Sequence, residues 1–270
     1  MAKKKILFIN QEIVPYVPDS EMARMGRQLP QKMSENGFDV RTFMPKWGNI
    51  NERRGQLHEV IRLSGLNIVI DDTDHPLIIK VASIPVSRLQ VYFIDNEDYF
   101  IKRRNMTEDD NGEEYADNGE RAIFFARGVL ETVKKLRWTP DIIQCQGWMS
   151  GVIPFYVKTA YHDDPTFANS KVVTSLFQTD FKKSLGNRFK QCVEYGSAKV
   201  ELLDKYAENF DYQEYGKMAI DYSDAIIEAG EHINAELKAY AESTKKPLMY
   251  YPGEDYAAAY KDFYNKLLAE

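Results

Sequence analysis

Two cysteines, Cys145 and Cys192, and four histidines are all that this 270-residue chain offers to a disulfide framework or a metal centre. Neither number nor spacing builds such a framework, so a reducing, cytoplasmic compartment is expected. His58, His75, His162 and His232 fall in unrelated segments without metal or triad spacing, and no metal or cofactor is expected. A basic excess is also missing: Lys+Arg 35 stand against Asp+Glu 41, for a net charge of −6. Nucleic acid and anionic membranes select basic surfaces, so neither is an expected partner. No run approaches the roughly eighteen apolar residues that span a bilayer. Lys3-Lys4-Lys5 precedes an apolar stretch, Ile6 to Ile9, far too short for a signal-peptide core.

What is present is an apolar fraction of 44%, ample for a buried core. Lys5 to Asn10 reads as a strand buried in a parallel sheet. Pro15 and Pro18 force a loop, and Asp19 or Ser20 can cap a helix carrying Met22, Met25, Leu29 and Met33 on one face. Asn36-Gly37 ends that helix, and Phe38 to Met44 is a second strand closed by Pro45. Residues 46–100 hold three strand-like runs, 66–70, 77–81 and 89–95, and read as an insertion built of hairpins. Residues 103–117, charged and containing Gly and Asn, read as a mobile surface loop.

Helix and strand then alternate again. Helices are expected at 118–136, 150–161, 196–209, 212–222 and 231–241, and strands at 141–145, 171–177 and 224–229. A terminal amphipathic helix, Tyr256 to Leu268, carries Ala259, Tyr260, Phe263 and Leu267 on one side. No repeat, linker or low-complexity segment interrupts the chain. The pattern is a single α/β domain over residues 1–270, with a doubly wound, mostly parallel, Rossmann-like sheet and a β-hairpin insertion.

Ligands of such folds bind beyond the carboxyl ends of the strands. After the first strand, Asn10 to Glu21 contains no glycine, and Asp19 and Glu21 repel anions, so a phosphate cradle is not expected there. Glu12, directly after a buried strand, is either an acceptor for sugar hydroxyls or a brace for its own loop. After the 141–145 strand, Gln144, Gln146 and Trp148 offer two amides and an indole that can hydrogen-bond and stack on a sugar. Trp148 can equally cap the core. Amides do not transfer protons near neutral pH, so no catalytic acid or base is assigned here. Cys145, among apolar strand residues, reads as a buried structural thiol. His162-Asp163-Asp164, Asp71-Asp72 and Asp109-Asp110 read as solvated turns, and Asp117-Asn118 with Glu120 as a helix cap.

Several segments together resemble the N-terminal, glucan-acceptor half of the bacterial glycogen and starch synthases. These are glycosyltransferases of two facing Rossmann-like domains, the GT-B arrangement. Ile6 to Tyr16 is similar to the family's first strand and its Ser-Glu-Val-x-Pro-Phe. Gln28-Leu29-Pro30, Gly37-Phe38-Asp39-Val40-Arg41 and Met44-Pro45 continue in register. Tyr115-Ala116-Asp117-Asn118 with Glu120-Arg121 resembles Tyr-x-Asp-Asn-x-Glu-Arg, and Trp138 to Ile143 resembles Trp-x-Pro-Asp-Ile-Ile. Weaker similarity runs from Lys217 to Leu237.

Departures from the family fall on its chemistry. The Lys-x-Gly-Gly-Leu loop that approaches the sugar-nucleotide donor corresponds to Pro18-Asp19-Ser20-Glu21-Met22. His-x-His-Asp-Trp corresponds to Gln144-Cys145-Gln146-Gly147-Trp148, and Thr-Ile-His-Asn to Thr174-Ser175-Leu176-Phe177. The family's C-terminal domain, which holds an Arg/Lys pair and a Glu for the donor, is expected to be absent, and Tyr256 to Leu268 to replace the helix that crosses back onto the first domain. The resemblance implies a degenerate relative, a pseudoenzyme, that binds an α-glucan or a protein partner, including a second copy of itself. Its sugar contacts would be Tyr16, Gln144, Gln146 and Trp148, with Glu12 as acceptor. Two alternatives stand: an ADP-glucose-dependent α-1,4-glucan glucosyltransferase completed by a donor domain on another chain, and a scaffold or regulatory subunit without a sugar site.

Overall fold

A computed structural model describes residues 3–87 and 89–269. The strands are β1 (Lys5–Asn10), β2 (Asp39–Pro45), β3 (His58–Glu59), β4 (Asn67–Ile70), β5 (Thr73–Pro76), β6 (Ile78–Ser83), β7 (Gln90–Asp95), β8 (Ile142–Gln146), β9 (Lys171–Leu176), β10 (Ala225–Glu228) and β11 (Leu248–Met249). The helices are α1 (Glu21–Glu35), α2 (Glu52–Gly55), α3 (Asn118–Lys135), α4 (Ile153–Lys158), α5 (Gly186–Cys192), α6 (Tyr212–Asp221), α7 (Ala235–Ser243) and α8 (Tyr256–Ala269). Strands β11-β10-β9-β8-β1-β2-β7-β6-β3 form one sheet in that order, and β4-β5 form a separate hairpin. All pairings from β11 to β7 are parallel, and β6 and β3 are antiparallel additions at one edge.

Strand alternation sends side chains to two cores. Leu7 and Ile9 of β1 join the side covered by α3, α4 and α6, whereas Ile6 and Phe8 join α1 and α8 on the other. The sheet is thus doubly wound, as expected. The 46–100 segment is not a separate excrescence, because β7 pairs parallel with β2 and carries β6 and β3 with it. Only β4-β5 stands outside the main sheet as a hairpin.

Acidic residues just before strands fix the register of their neighbours. Asp141 accepts from the Lys5 backbone N–H at 2.8 Å, and Asp224 from that of Val172 at 2.7 Å. The Trp138 indole donates to Asp39 at 2.8 Å, tying the entry of β8 to the start of β2. At the other end, α8 lies along α1 and buries Tyr256, Ala257, Tyr260, Tyr264 and Leu267. Its inward face is turned from the expected one, with Ala259 and Phe263 only half-buried. The tyrosine hydroxyls explain the rotation: Tyr256 donates to Gln28 at 3.0 Å and Tyr264 to Gln144 at 2.8 Å.

Three other expectations are corrected. Residues 196–209 are not a helix: they hold a bridge between Tyr195 and Ala198 and one 3-10 turn, Val200–Leu203. The helix of this region is α5, and α7 begins only at Ala235 behind an Asn234 cap. Residues 103–117 are pinned rather than loose. The Arg121 guanidinium donates to Met106 O at 2.8 Å, Asn118 Nδ2 donates to Thr107 O at 2.8 Å, and Glu114 accepts from the backbone N–H groups of Lys182 and Lys183. Asp117-Asn118 is not a side-chain cap. Asp117 makes no capping bond and pairs with Arg103, while Asn118 Oδ1 accepts from Arg121 at 2.7 Å.

Candidate functional site at the strand ends

The chain leaves β1 toward β2 on one side, while β8 lies on its other side, so the order of the sheet reverses between β1 and β8. A crevice opens at the carboxyl ends of strands flanking such a reversal. Here those ends are Asn10-Gln11-Glu12 and Gln146-Gly147-Trp148.

Glu12 is committed to its own loop. Its Oε2 accepts from Ser20 Oγ at 2.6 Å, and Ser20 Oγ accepts from the Ala23 N–H at 2.9 Å as the N-cap of α1. Gly26 makes this approach feasible: a Cβ there would lie 2.2 Å from Glu12 O. With Glu21 in the first turn and Asp19 beside it, three carboxylates surround the helix N-terminus, and Arg24 answers only Asp19. Unmet N–H groups make such a terminus attractive to anions, and carboxylates placed there cancel the attraction.

Gln144, an expected sugar contact, is fully buried: its Nε2 donates to Ser175 Oγ at 2.7 Å, and its Oε1 accepts from Tyr264 at 2.8 Å. Its amide is thus engaged within the protein. Gln146, two residues on, faces the same α1/α8 side and is also fully buried, yet its Oε1 and Nε2 meet no hydrogen-bond partner among the described residues. Its register partner on β1, Asn10, is buried with Oδ1 likewise unmet.

Gly147 adopts φ +82°, and a Cβ there would meet Gln11 Cβ at 2.7 Å and Met22 Sδ at 2.9 Å. The space beside it is therefore filled by Gln11, whose Oε1 accepts from the Met149 N–H at 3.1 Å. Gln11 also accepts on its backbone carbonyl from the Trp47 indole at 2.7 Å. Sequence reasoning passed over Gln11; its polar side chain at a strand end was the available signal.

Trp148 and Tyr16 line different hollows. Trp148 packs edge-on to Phe181 at 5.0 Å, beside an apolar hollow of only about 30 Å³ shared with Phe177, Tyr212 and Tyr215. It caps the core. Tyr16 packs edge-on to Phe93 at 4.9 Å, and burial pushes its hydroxyl up to about 12. It borders a cavity of about 220 Å³ with Asn49, Asn51, Arg54 and Gly55. Those polar neighbours come from the segment after β2 and from α2, and were not anticipated. Burial likewise raises the Cys145 thiol, which is buried and unpaired, in keeping with a structural role.

Among the described residues, no group of three or more His, Cys, Asp or Glu could hold a metal ion. Nor is any helix among them long and apolar enough to cross a membrane.

The starch synthase catalytic domain family matches residues 5–246. A glycogen synthase of Chlorobium limicola is 40% identical over 172 residues, covering 64% of this chain and 35% of the relative. One from Chlorobium luteolum is 35% identical over 216 residues, covering 77% of this chain and 44% of the relative. The chain thus spans well under two thirds of these relatives. The catalytic domain of starch synthase IV from Arabidopsis thaliana, solved with ADP and acarbose bound, superposes with a TM-score of 0.74 at 15% identity, over 93% of this chain and 51% of that one. At that identity the likeness is one of fold, and it agrees with one Rossmann-like half of a GT-B arrangement.

Proposed function

The chain belongs to the starch synthase catalytic domain family, and from that premise we propose that it is a glucan-binding relative that does not transfer glucose by itself. It would act as a single unit over residues 1–270 in a cytoplasmic setting, holding an α-glucan or presenting one to a protein partner.

The observation that carries this reading is the start of α1. Glucosyl transfer from a sugar nucleotide must stabilise a diphosphate leaving group of about two negative charges, through cations and backbone N–H donors. In this chain the helix N-terminus is occupied by Ser20 and its partner Glu12, and is flanked by Asp19 and Glu21. A diphosphate would meet carboxylates where it needs donors, and like charges so placed cost several kcal/mol. The filled space beside Gly147 and the engaged amide of Gln144 point the same way. For the glucan, Tyr16 with Asn49, Asn51 and Arg54 forms the best polar hollow at the strand ends. Glu12, Gln146 and Trp148, at the neighbouring strand ends, are kept as further candidate sugar contacts.

Calorimetric titration of the chain with maltoheptaose and, separately, with ADP-glucose tests this. Glucan binding without nucleotide binding is expected. Micromolar affinity for ADP-glucose would overturn the reading in favour of a transferase completed by another chain. Silence toward both ligands would favour a scaffold without a sugar site.

A further inference from the structure

A roomier hollow than the one beside Tyr16 lies elsewhere. A groove of about 450 Å³ runs along the seam between α1 and the segment that leads into α8, lined by Glu21, Arg24, Met25, Gln28, Tyr251, Glu254 and Tyr256. One wall comes from α1; the other comes from residues beyond 246, where the family match ends. Glu21, at the start of α1, is shared with the strand-end region.

We propose that this groove is a second subsite for an α-glucan, formed by the C-terminal segment of the chain. The inference rests on the glucan-binding reading above and adds a place that reading does not include. Volume is the first support, since ligand-sized pockets begin at roughly 300 Å³. The second is the mixture of side chains. Sugars present C–H faces that pack on aromatic rings, and rings of hydroxyls that both donate and accept. Tyr251, half-buried, and Tyr256 supply the rings. Glu21 and Glu254 only accept, Arg24 only donates, and the Gln28 amide does both.

The bonds already in the groove are ones a polyol can share or exchange. Tyr251 donates weakly to Glu21 Oε1, at 3.3 Å. Gln28 lends its carbonyl to the Tyr256 hydroxyl and keeps its amide nitrogen at an exposed position. Charge narrows the ligand further. A phosphate would face Glu21 and Glu254. Arg24, paired with Asp19, still keeps its guanidinium in the groove, and no group of three or more His, Cys, Asp or Glu among the described residues could hold a metal ion. An uncharged polyol suits this set best. Lys32 over the Tyr256 ring, at 5.8 Å, and Tyr256 against Tyr260, at 6.0 Å, hold the floor in place.

Maltoheptaose affinity should be measured by calorimetry for the unmodified chain and for Tyr251→Ala, Gln28→Ala and Arg54→Ala. Tyr251 and Gln28 are accessible, so both groove variants should fold, and thermal melting checks this. A fall in affinity of about tenfold in Tyr251→Ala, with a smaller one in Gln28→Ala, is expected. If Arg54→Ala weakens binding while both groove variants bind as the unmodified chain does, the groove is excluded and the strand-end reading survives. If the unmodified chain does not bind maltoheptaose at all, both fall.

Discussion

At the start of α3 a charged side chain is fully buried with every nitrogen engaged, whereas at the ends of β1 and β8 two neutral amides are fully buried with polar atoms unmet. Arg121 donates from Nε to Tyr99 O at 2.8 Å, from Nη1 to Asn118 Oδ1 at 2.7 Å and from Nη2 to Met106 O at 2.8 Å. Its guanidinium also lies 5.2–5.3 Å from the ring centroids of Trp47, Phe100 and Tyr115. Burial lowers it to about 10, still far above neutrality, so it remains a cation. Gln146 and Asn10 have no such surroundings. Arg121 and Asn10 lie in segments that resemble the family's, whereas Gln146 lies in one that departs from it. Full satisfaction of polar groups marks the first region; infill by Gln11 and unmet groups on Asn10 and Gln146 mark the second.

The largest effect should come from the satisfied side. Arg121→Met removes a cation and strands the carbonyls of Tyr99 and Met106 and the Asn118 amide in the interior. Breaking a buried polar cluster from one side costs about 3–5 kcal/mol. Urea unfolding should show a midpoint shift of that size with the slope unchanged. A loss below about 1 kcal/mol, the scale of one exposed pair, would dissolve the contrast.

Next comes the infill. Gly147→Asp restores the residue type that the family carries, but at φ +82° and against Gln11 and Met22. Strain and overpacking together should cost about 2–4 kcal/mol. Unaltered stability would mean that the crevice retains room for the family's carboxylate, and would reopen the question of catalysis. The opposite sign is expected at Gln146. Replacing a buried, unpaired amide with an apolar group of similar size removes a desolvation penalty, so Gln146→Leu should gain about 1 kcal/mol. Destabilisation instead would reveal a partner for that amide and place Asn10 and Gln146 in one functional pocket.

The two regions also differ in how far sequence could reveal them. The main strands were legible because short apolar runs closed by turn residues have few other uses, whereas the reversal between β1 and β8 is seen only in the sheet order. Arg121 was legible as part of a family-like motif, but its buried role was not. Its acceptors, Tyr99 O and Met106 O, lie on segments whose folding around it no local pattern records. Gln144 was read as a ligand contact because its locking partner, Tyr264, is 120 positions away. The helix expected at 196–209 failed for a related reason. Ala198, Leu203 and Tyr206 are buried instead by a bridge, a short 3-10 turn and packing of Tyr206 on Phe210 at 5.9 Å. The groove along α1 was invisible because its walls are some 230 residues apart in sequence, the separation of Tyr251 from Glu21.

The smallest expected effect probes a near neighbour of Arg121. His75 stacks on Tyr99 at 4.5 Å, its Nε2 lies 3.0 Å from the Tyr99 hydroxyl, and that hydroxyl donates to Glu120 at 3.2 Å. With the hydroxyl proton on Glu120, Nε2 must be the protonated nitrogen, which leaves Nδ1 bare, buried and without a partner among the described residues. Burial holds the imidazole below its usual value of 6.5, against the opposing pull of Glu120, Asp98 and Asp74. The folded chain therefore binds a proton here less readily than the unfolded one. The stability due to neutral His75 is complete above pH 6.5 and declines as the pH falls toward the lower, folded value. Other carboxylates titrate nearby, so the informative quantity is the difference from His75→Gln, which keeps a donor but does not titrate. Urea midpoints of the two proteins should lie further apart at pH 7 than at pH 5. A constant difference would mean that the imidazole binds its proton equally in both states, and one that grows on acidification that it is protonated more easily in the folded chain. In that case the surroundings of α3 would be set by its carboxylates and not by burial, and the contrast with the strand ends would rest on Arg121 alone.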